Sequence, residues 1–192
     1  MNFIFDVGNV LVDYRPLVYL KGLFSDEMLV DRLYQIIFRS PEWIKMDKGL
    51  LTFAEATDIF CAREPELQAE IRCAMDNVND IFTPLCDTIE LLPRIKESGH
   101  GLYYLSNIQM EIRDHLLEIH DFFEFFDGGV FSCDVFSIKP SPGIYRHLIA
   151  KYNLNPEDCV FFDDMEENVA AAEKEGIKGV LFTTAECVLE YL

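Results

Sequence analysis

Five stretches of the chain consist of consecutive apolar residues, a pattern typical of strands that are buried on both faces of a parallel sheet. The first begins at Asn2 and ends on the carboxylate of Asp6, and a second apolar run follows Gly8. The other four lie at residues 101–105, 129–131, 159–162 and 179–182. Each of the five is predicted to be a strand of one sheet.

Residues 16–82 follow a different pattern, in which apolar residues recur at helical spacing and no strong strand is found. Ser25 followed by two acids predicts one helix start, and Thr52 with Glu55 predicts a capping box before a second helix. A third helix is predicted from about residue 65 to about residue 78. Since this stretch is too long for a loop within a compact domain, we predict that it forms a helical cap.

Helices are also predicted between the later strands, so that strands and helices alternate along the second half of the chain. Such alternation is typical of the α/β class, in which helices cover both faces of a doubly wound parallel sheet. We therefore predict an α/β core formed by residues 1–15 and 83–192. The α-helical cap of residues 16–82 is inserted into this core.

Composition and charge narrow the class of protein. Half of the 192 residues are hydrophobic, yet no run approaches the ~20 apolar residues of a membrane span. The first residues lack the basic stretch of a signal peptide, so we expect a cytoplasmic protein with no membrane partner. A net charge of −18 argues against nucleic acid as a partner but is compatible with a small phosphorylated ligand. The six scattered cysteines form no C-x-x-C pair and are expected to be reduced thiols.

Polar residues end three of the predicted strands and form the candidate site. They are Asp6, then Ser106 and Asn107, then Asp163 and Asp164. The carboxyl ends of parallel strands meet at one edge of a doubly wound sheet, where Lys139 can join them from the loop before the next helix. Alone, Ser106 could be a helix N-cap and Lys139 a solvated lysine. All of these positions together, in this order, are hard to obtain by accident.

The motifs resemble those of the haloacid dehalogenase superfamily, in particular members with a small helical cap between the first and second motifs. They are residues 5–10 (Phe-Asp-Val-Gly-Asn-Val), 105–107 (Leu-Ser-Asn), 138–140 (Ile-Lys-Pro) and 162–164 (Phe-Asp-Asp), with Asn168. The first is most similar to the motif of bacterial sugar-phosphate phosphatases of the glucose-1-phosphatase kind. The resemblance covers essentially the whole chain and implies a Rossmann-like core. It also implies a phosphatase acting on a small phosphorylated metabolite such as a sugar phosphate. We expect a monomer or a homodimer, a choice that the sequence does not decide.

The resemblance further implies roles for the acids. Asp6 would be the nucleophile that attacks phosphorus and forms an aspartyl-phosphate, which water later cleaves. Mg²⁺ would hold this carboxylate and the phosphate together, with Asp6, the carbonyl of Gly8 and Asp164 as its ligands. Asp163 would contact the metal directly or through water.

The remaining site residues would hold the phosphoryl group. By the same resemblance, these are the Ser106 hydroxyl, the Lys139 ammonium and backbone N–H groups near Val7, Gly8 and Asn107. Substrate choice would fall to the cap, which closes over the site. Between the predicted cap helices lie Trp43, Lys45, Asp47 and Lys48, any of which could face the pocket.

Gly8 departs from the family pattern, in which most phosphatases have a second Asp here that protonates the leaving group. Asp13 could supply the proton instead, or water could do so for good leaving groups. Alternatively, catalysis has been lost and the chain only binds phosphorylated ligands, although the intact Lys139, Asp163 and Asp164 argue against this. Losing a general acid typically slows an enzyme by ~10²–10⁴ without abolishing turnover.

Other functions share parts of this pattern. A metal-independent 2-haloacid dehalogenase uses the same nucleophile but needs no acid pair such as Asp163 and Asp164. A phosphomutase normally needs the second Asp that Gly8 replaces, and a receiver-type signalling domain has its acid pair on the first strand. We therefore predict a Mg²⁺-dependent phosphatase, with a dehalogenase and a catalytically impaired binding protein as the alternatives.

Overall fold

The computed structural model describes residues 1–192 and is built around seven strands. These are β1 (Asn2–Phe5), β2 (Val12–Asp13), β3 (Thr83–Pro84), β4 (Gly101–Ser106), β5 (Gly128–Phe131), β6 (Cys159–Asp163) and β7 (Lys178–Leu181). Five of them form one parallel sheet in the order β5-β4-β1-β6-β7, whereas β2 and β3 pair antiparallel. The predicted α/β class with a parallel sheet is confirmed.

Twelve α-helices connect and cover the strands. They are α1 (Pro16–Leu23), α2 (Glu27–Ile37), α3 (Pro41–Asp47), α4 (Phe53–Arg63), α5 (Gln68–Asp76), α6 (Cys86–Ile89), α7 (Leu91–Glu97), α8 (Met110–Ile119), α9 (Ser132–Val135), α10 (Pro142–Tyr152), α11 (Glu166–Lys174) and α12 (Glu186–Leu189). The five helices α1 to α5 all lie between β2 and β3. This segment is called the cap below, although the division of the chain into core and cap stays a prediction.

The two faces of β1 are both buried, which explains its unbroken apolar sequence. Phe3 and Phe5 point to one face, where the ring of Phe5 stacks on that of Phe162 with centroids 5.1 Å apart. Ile4 points to the other face and packs in a second cluster with Phe161. Alternation between polar and apolar residues is therefore absent, as expected for a strand covered by helices on both sides.

The register of the sheet brings the strand ends together. Phe5 lies opposite Tyr104 of β4 and Phe162 of β6. The next residue, Asp6, donates its backbone N–H to the carbonyl of Phe162 at 2.9 Å. The residue that ends β1 therefore lies between the polar residues that end its two neighbours, at the carboxyl edge of the sheet.

Helix starts in the cap agree with the sequence in one case and differ by one residue in another. The capping box of Thr52 and Glu55 is present, with both reciprocal hydrogen bonds formed. The N-cap of α2 is Asp26 rather than the predicted Ser25, and its carboxylate accepts from two backbone N–H groups. An anion at this position also interacts favourably with the helix dipole, which a serine hydroxyl does less well.

A second difference concerns residues 41–47, which were predicted to lie between two cap helices and instead form the helix α3. Ser40 accepts a hydrogen bond from the N–H of Trp43 at 3.0 Å, and Pro41 takes the first helical position. Three of the candidate cap residues, Trp43, Lys45 and Asp47, are thus helical, and Lys48 is the C-cap.

The state of the cysteines and the character of the helices concern the whole chain. All six cysteines are free, as the sequence predicted. Among the helices, none combines the length and the apolar character needed to cross a membrane.

Candidate active site

Asp6 lies at the carboxyl end of the central strand and is only 7% exposed. Its Oδ1 atom accepts hydrogen bonds from the N–H of Val7 at 2.7 Å and from the ammonium of Lys139 at 2.8 Å. Its Oδ2 atom accepts no hydrogen bond from the protein. One oxygen of a buried carboxylate is thus free to bind a ligand or attack it.

Lys139 reaches this carboxylate from the loop between α9 and α10 and is 3% exposed. Its ammonium also lies 2.6 Å from Asp163. Asn107 fixes the loop by two hydrogen bonds, accepting from the N–H of Lys139 at 2.7 Å and donating to its carbonyl at 2.9 Å. The predicted lysine is therefore held in place by a residue of the second motif.

Asp163 is fully buried, and both of its oxygens are occupied by protein donors. Oδ1 accepts from the N–H of Met165 and the amide of Asn168, and Oδ2 accepts from Lys139 and the same amide. With four hydrogen bonds, this carboxylate is suited to orienting Lys139.

Asp164 is less enclosed and keeps one oxygen free. Its Oδ2 atom accepts from the side-chain amide of Asn9 at 2.9 Å. Asn9 has a positive φ of 55° and also accepts from the N–H of Tyr14 at 2.9 Å. Asn9 therefore links the turn after β1 to the acid pair after β6, a role that sequence reasoning missed although this residue follows Gly8 directly.

The charges of the site are unbalanced. Carboxylate oxygens of Asp6, Asp163 and Asp164 lie within 4.8 Å of one another, and Lys139 is the one cation in contact with them. Burial raises the pKa of Asp6 to about 7, against the lowering effect of Lys139. The pKa of Lys139 is also raised, because Asp6 and Asp163 outweigh the cost of burying its charge.

A cavity of about 160 Å³ opens at Val7 and Gly8, the two residues that follow Asp6, between the sheet edge and the cap. Asp6, Lys139, Asp163 and Asp164 do not line it themselves. Four predicted phosphate-binding residues line it: Val7, Gly8, Ser106 and Asn107. The cap side is formed by Tyr14, Trp43, Asp47 and Phe82, and Gln109 completes the wall. The structure therefore gathers the first two motifs and the α3 helix around one space.

The backbone around the cavity offers both a donor and an acceptor. The N–H of Val7 is engaged by Asp6, whereas those of Gly8 and Asn107 donate no backbone hydrogen bond. The carbonyl of Gly8 likewise accepts no backbone hydrogen bond. Ser106 is buried, and its hydroxyl makes only a long contact of 3.5 Å to the carbonyl of Asn107.

Asp13, the predicted substitute acid, does not line this cavity. Its carboxylate accepts from the Nε of Arg15 at 2.6 Å. It faces a separate and wider cavity of about 580 Å³, together with Asn9, Cys86 and Thr184. Its role as an acid stays a prediction.

Trp43 serves the packing of the cap as well as the cavity wall. It is buried, and its ring lies 4.6 Å from that of Phe38 and 6.3 Å from that of Phe53. The same side chain lines the cavity from the cap side. Neither Lys45 nor Lys48 lines the cavity.

The chain is similar to known hydrolases in sequence. The family model described as haloacid dehalogenase-like hydrolase matches residues 1–176. A phosphorylated carbohydrates phosphatase of Thermotoga maritima is 35% identical over 182 residues, covering 92% of this chain and 82% of that protein. A sesquiterpene phosphatase of Aspergillus oryzae is 26% identical over 183 residues, covering 94% and 88%.

The fold is shared with solved structures. A HAD family enzyme of Bacteroides thetaiotaomicron, solved in complex with magnesium and inorganic phosphate, superposes with a TM-score of 0.75. The match covers 95% of this chain and 93% of that one at 21% sequence identity. At this identity, the likeness is one of fold.

Proposed function

Since the chain belongs to the haloacid dehalogenase-like hydrolase family, we propose that it is a Mg²⁺-dependent phosphatase acting through an aspartyl-phosphate. The observation that supports this most is the position of Asp6, a buried carboxylate with one free oxygen that directly precedes Val7 and Gly8 in the wall of the cavity. Its substrate is a small phosphorylated metabolite. The Thermotoga maritima relative, named as a phosphatase of phosphorylated carbohydrates, points in the same direction.

In this proposal Asp6 attacks the phosphorus atom and expels the alcohol of the substrate. Lys139 holds the attacking carboxylate in place and supplies positive charge next to the phosphoryl group. The Ser106 hydroxyl and the free N–H groups of Gly8 and Asn107 donate to the phosphoryl oxygens. Such preorganised donors supply most of the catalysis expected of a phosphoryl-transfer site.

The residues present fit a magnesium ion. Three carboxylates face a single ammonium, so a divalent cation would balance the excess negative charge. The unoccupied oxygens of Asp6 and Asp164 and the free carbonyl of Gly8 would be its ligands. Asp163, whose oxygens are occupied, would act through Lys139 or a water. When bound, the ion would offset the repulsion between the nucleophile and the phosphate.

A sugar phosphate is the substrate class that the sequence and the site favour. The first motif is similar to that of sugar-phosphate phosphatases. Ligand pockets usually measure ~300–1,000 Å³, so a cavity of about 160 Å³ restricts the leaving group to a small one. The cap residues Tyr14, Trp43 and Phe82 would contact that group.

The test is hydrolysis of a panel of phosphorylated metabolites with Mg²⁺, repeated in EDTA. We expect metal-dependent phosphate release, strongest for small sugar phosphates. Asp6→Asn should lower kcat by at least ~10³-fold, because the amide cannot act as a nucleophile. Since the amide has the same shape as the carboxyl group, the melting temperature should stay within a few degrees. Asp158→Asn is the matched control, since Asp158 is an exposed acid at the opposite end of β6.

Several outcomes would contradict the proposal. Activity that survives EDTA, with release of halide from 2-haloacids, would favour the metal-independent dehalogenase. Retained phosphatase activity in the Asp6→Asn variant would exclude the proposed nucleophile. A folded protein that binds phosphorylated ligands and hydrolyses none would support the binding-protein alternative.

A further inference from the structure

We propose that Asp47, at the end of the cap helix α3, is the general acid that protonates the leaving group. This inference rests on the proposed phosphatase function. It names the residue that donates the proton which, in most members of the family, comes from an Asp at the position of Gly8. It follows from the place of Asp47 in the fold.

Asp47 belongs to the cap helix α3 and lines the cavity together with residues that would hold the phosphoryl group. It lines the same space as Gly8 and Ser106. A phosphate seated on Ser106 would therefore direct its leaving oxygen away from the sheet edge and towards the cap. Asp47 is the one acidic side chain that lines this cavity.

The surroundings of Asp47 keep its carboxyl group neutral. Its only side-chain partner is the amide of Gln109, which donates to Oδ1 at 2.7 Å, and it forms no ion pair. Burial raises the pKa of Asp47 to about 8. The C-terminal end of α3 also disfavours a negative charge. A carboxyl group in this setting carries a proton at neutral pH, as a general acid must.

The other titratable group facing Asp47 is Tyr14, which lies across the same cavity. Burial raises the pKa of Tyr14, and the nearby Asp47 raises it further, so the phenol stays protonated. Tyr14 therefore adds no charge that would force Asp47 to ionise.

Three contacts with the core hold Asp47 over the site. Besides the bond from Gln109, the Ser132 hydroxyl donates to the backbone carbonyl of Asp47 at 2.5 Å. Two residues later, Gly49 adopts a φ of +66° and lies so close to Cys133 that a Cβ atom would be 2.4 Å from its carbonyl oxygen. The position of the acid is thus set by the core and not by the cap alone.

Asp13 is the less suitable candidate on the same criteria. Its carboxylate is paired with the guanidinium of Arg15 and is therefore already engaged by another side chain. It also faces a different cavity from the one lined by Gly8 and Ser106.

The proton transfers balance in two steps. First, a bond forms between Asp6 and phosphorus while the bond to the leaving oxygen breaks, and the Asp47 proton moves to that oxygen to give a neutral alcohol. Second, water attacks the aspartyl-phosphate and releases the Asp6 carboxylate. One proton of the water returns to Asp47, and the phosphate leaves as hydrogen phosphate.

The experiment compares two substrates with different leaving groups in the Mg²⁺-loaded enzyme. One is p-nitrophenyl phosphate, whose phenolate needs little protonation, and the other is the alkyl phosphate that the native enzyme hydrolyses fastest. In Asp47→Asn, kcat/KM for the alkyl phosphate should fall by ~10²–10⁴, and that for p-nitrophenyl phosphate by less than about tenfold. Asp47→Glu should recover part of the lost rate. Asp13→Asn tests the rival acid and should change both substrates alike. Asp158→Asn, at an exposed acid outside the site, is the matched control and should leave both rates within a few-fold of native.

Each other outcome has a defined meaning. Equal losses on both substrates in a folded Asp47→Asn protein would overturn the acid role. A loss confined to the alkyl phosphate in Asp13→Asn, with Asp47→Asn unaffected, would assign the acid to Asp13. If the native enzyme hydrolyses neither substrate with Mg²⁺, the phosphatase proposal itself fails. Near-native melting curves for both variants would show that misfolding is not the cause.

Discussion

Asp163 is fully buried and Asp47 is partly buried at the wall of the cavity, and their partners suit these two carboxyl groups to opposite tasks. Asp163 accepts four hydrogen bonds, one of them from the ammonium of Lys139, with which it forms an ion pair. Asp47 accepts one bond from the neutral amide of Gln109 and has no cation beside it. Two residues of the same type thus differ in their partners, a cation for Asp163 and a neutral amide for Asp47, which suits the first to orienting Lys139 and the second to donating a proton.

This difference predicts how the stability of the protein depends on pH. The pKa of Asp47 is about 8 in the folded state against 3.8 for an ordinary Asp, so the folded protein retains a proton that the unfolded chain releases between these values. Stability therefore declines as the pH rises through this window and levels off above about 8. In Asp47→Asn the part of this decline that is due to Asp47 should be absent, while the part due to Asp6 and Asp164 remains.

The measurement is urea unfolding of the native protein and Asp47→Asn in EDTA at about pH 5 and about pH 8. We expect the variant to gain about 1 kcal/mol or more relative to the native protein at the higher pH. Asp6 and Asp164 titrate in both proteins, so their contribution cancels in the difference. Parallel pH profiles would show that Asp47 is ionised in the folded state.

At the scale of elements, α3 and the turn after it form the contact that joins the cap to the site. The turn fits against α9 only because residue 49 is a glycine, with its positive φ and its close approach to Cys133. A short helix of seven residues would otherwise have little to fix its direction. The position of Asp47 in the cavity wall thus depends on Gly49, a residue that would contact neither substrate nor metal.

Gly49→Ala should disturb this element specifically. We expect a loss of about 1–3 kcal/mol in unfolding free energy, because the methyl group clashes with a backbone carbonyl and the φ is strained. Hydrolysis of alkyl phosphates should fall more than hydrolysis of p-nitrophenyl phosphate, as for Asp47→Asn. The control is Gly22→Ala in α1, where a Cβ atom meets nothing within 4 Å. If both variants behave alike, the turn does not position Asp47.

The elements also show where sequence reasoning succeeds and where it stops. All five core strands were predictable from their apolar runs, which in β1 and β6 reflect burial on both faces, although β7 is only partly buried. The α3 helix was missed because its seven residues span barely two turns, too few for a clear helical period. Its start, at Ser40 and Pro41, is nevertheless the kind of cap that local sequence encodes.

The same limit applies to the candidate site. The motif residues Asp6, Lys139 and Asp163 were predictable from their order and from the strand ends, and the structure brings them into contact. The pairing of Gln109 with Asp47 joins residues 62 positions apart, and that of Asn9 with Asp164 joins residues 155 apart. Neither spacing has a local periodicity, so only the folded chain shows these partners.

On the scale of the whole molecule, the net charge of −18 opposes the approach of a phosphorylated substrate. Salt screens this repulsion, since the Debye length is about 10 Å at 0.1 M ionic strength. With Mg²⁺ saturating, raising the salt from about 20 mM to about 150 mM should lower KM for a dianionic substrate by roughly two- to fivefold. The value of kcat should stay nearly constant, because the chemical step occurs inside the site.

Steady-state kinetics at several salt concentrations would check this. A KM that rises with salt would mean that local positive charge, for example from Lys45 and Lys48 near the cap turn, dominates the encounter. A KM that does not change with salt would mean that the bound metal ion cancels the repulsion between the negatively charged protein and the substrate near the active site.

The central position of β1 has a consequence for biosynthesis. Its two neighbours in the sheet, β4 and β6, are made about 100 and about 155 residues later. At the usual ~5–20 residues per second, a ribosome needs roughly 8–30 s to reach the second of them. During this time the apolar residues before Asp6 have no sheet to join, which exposes them to chaperones and to aggregation. Asp6, the proposed nucleophile, is thus among the first residues to be translated and among the last to enter its native surroundings.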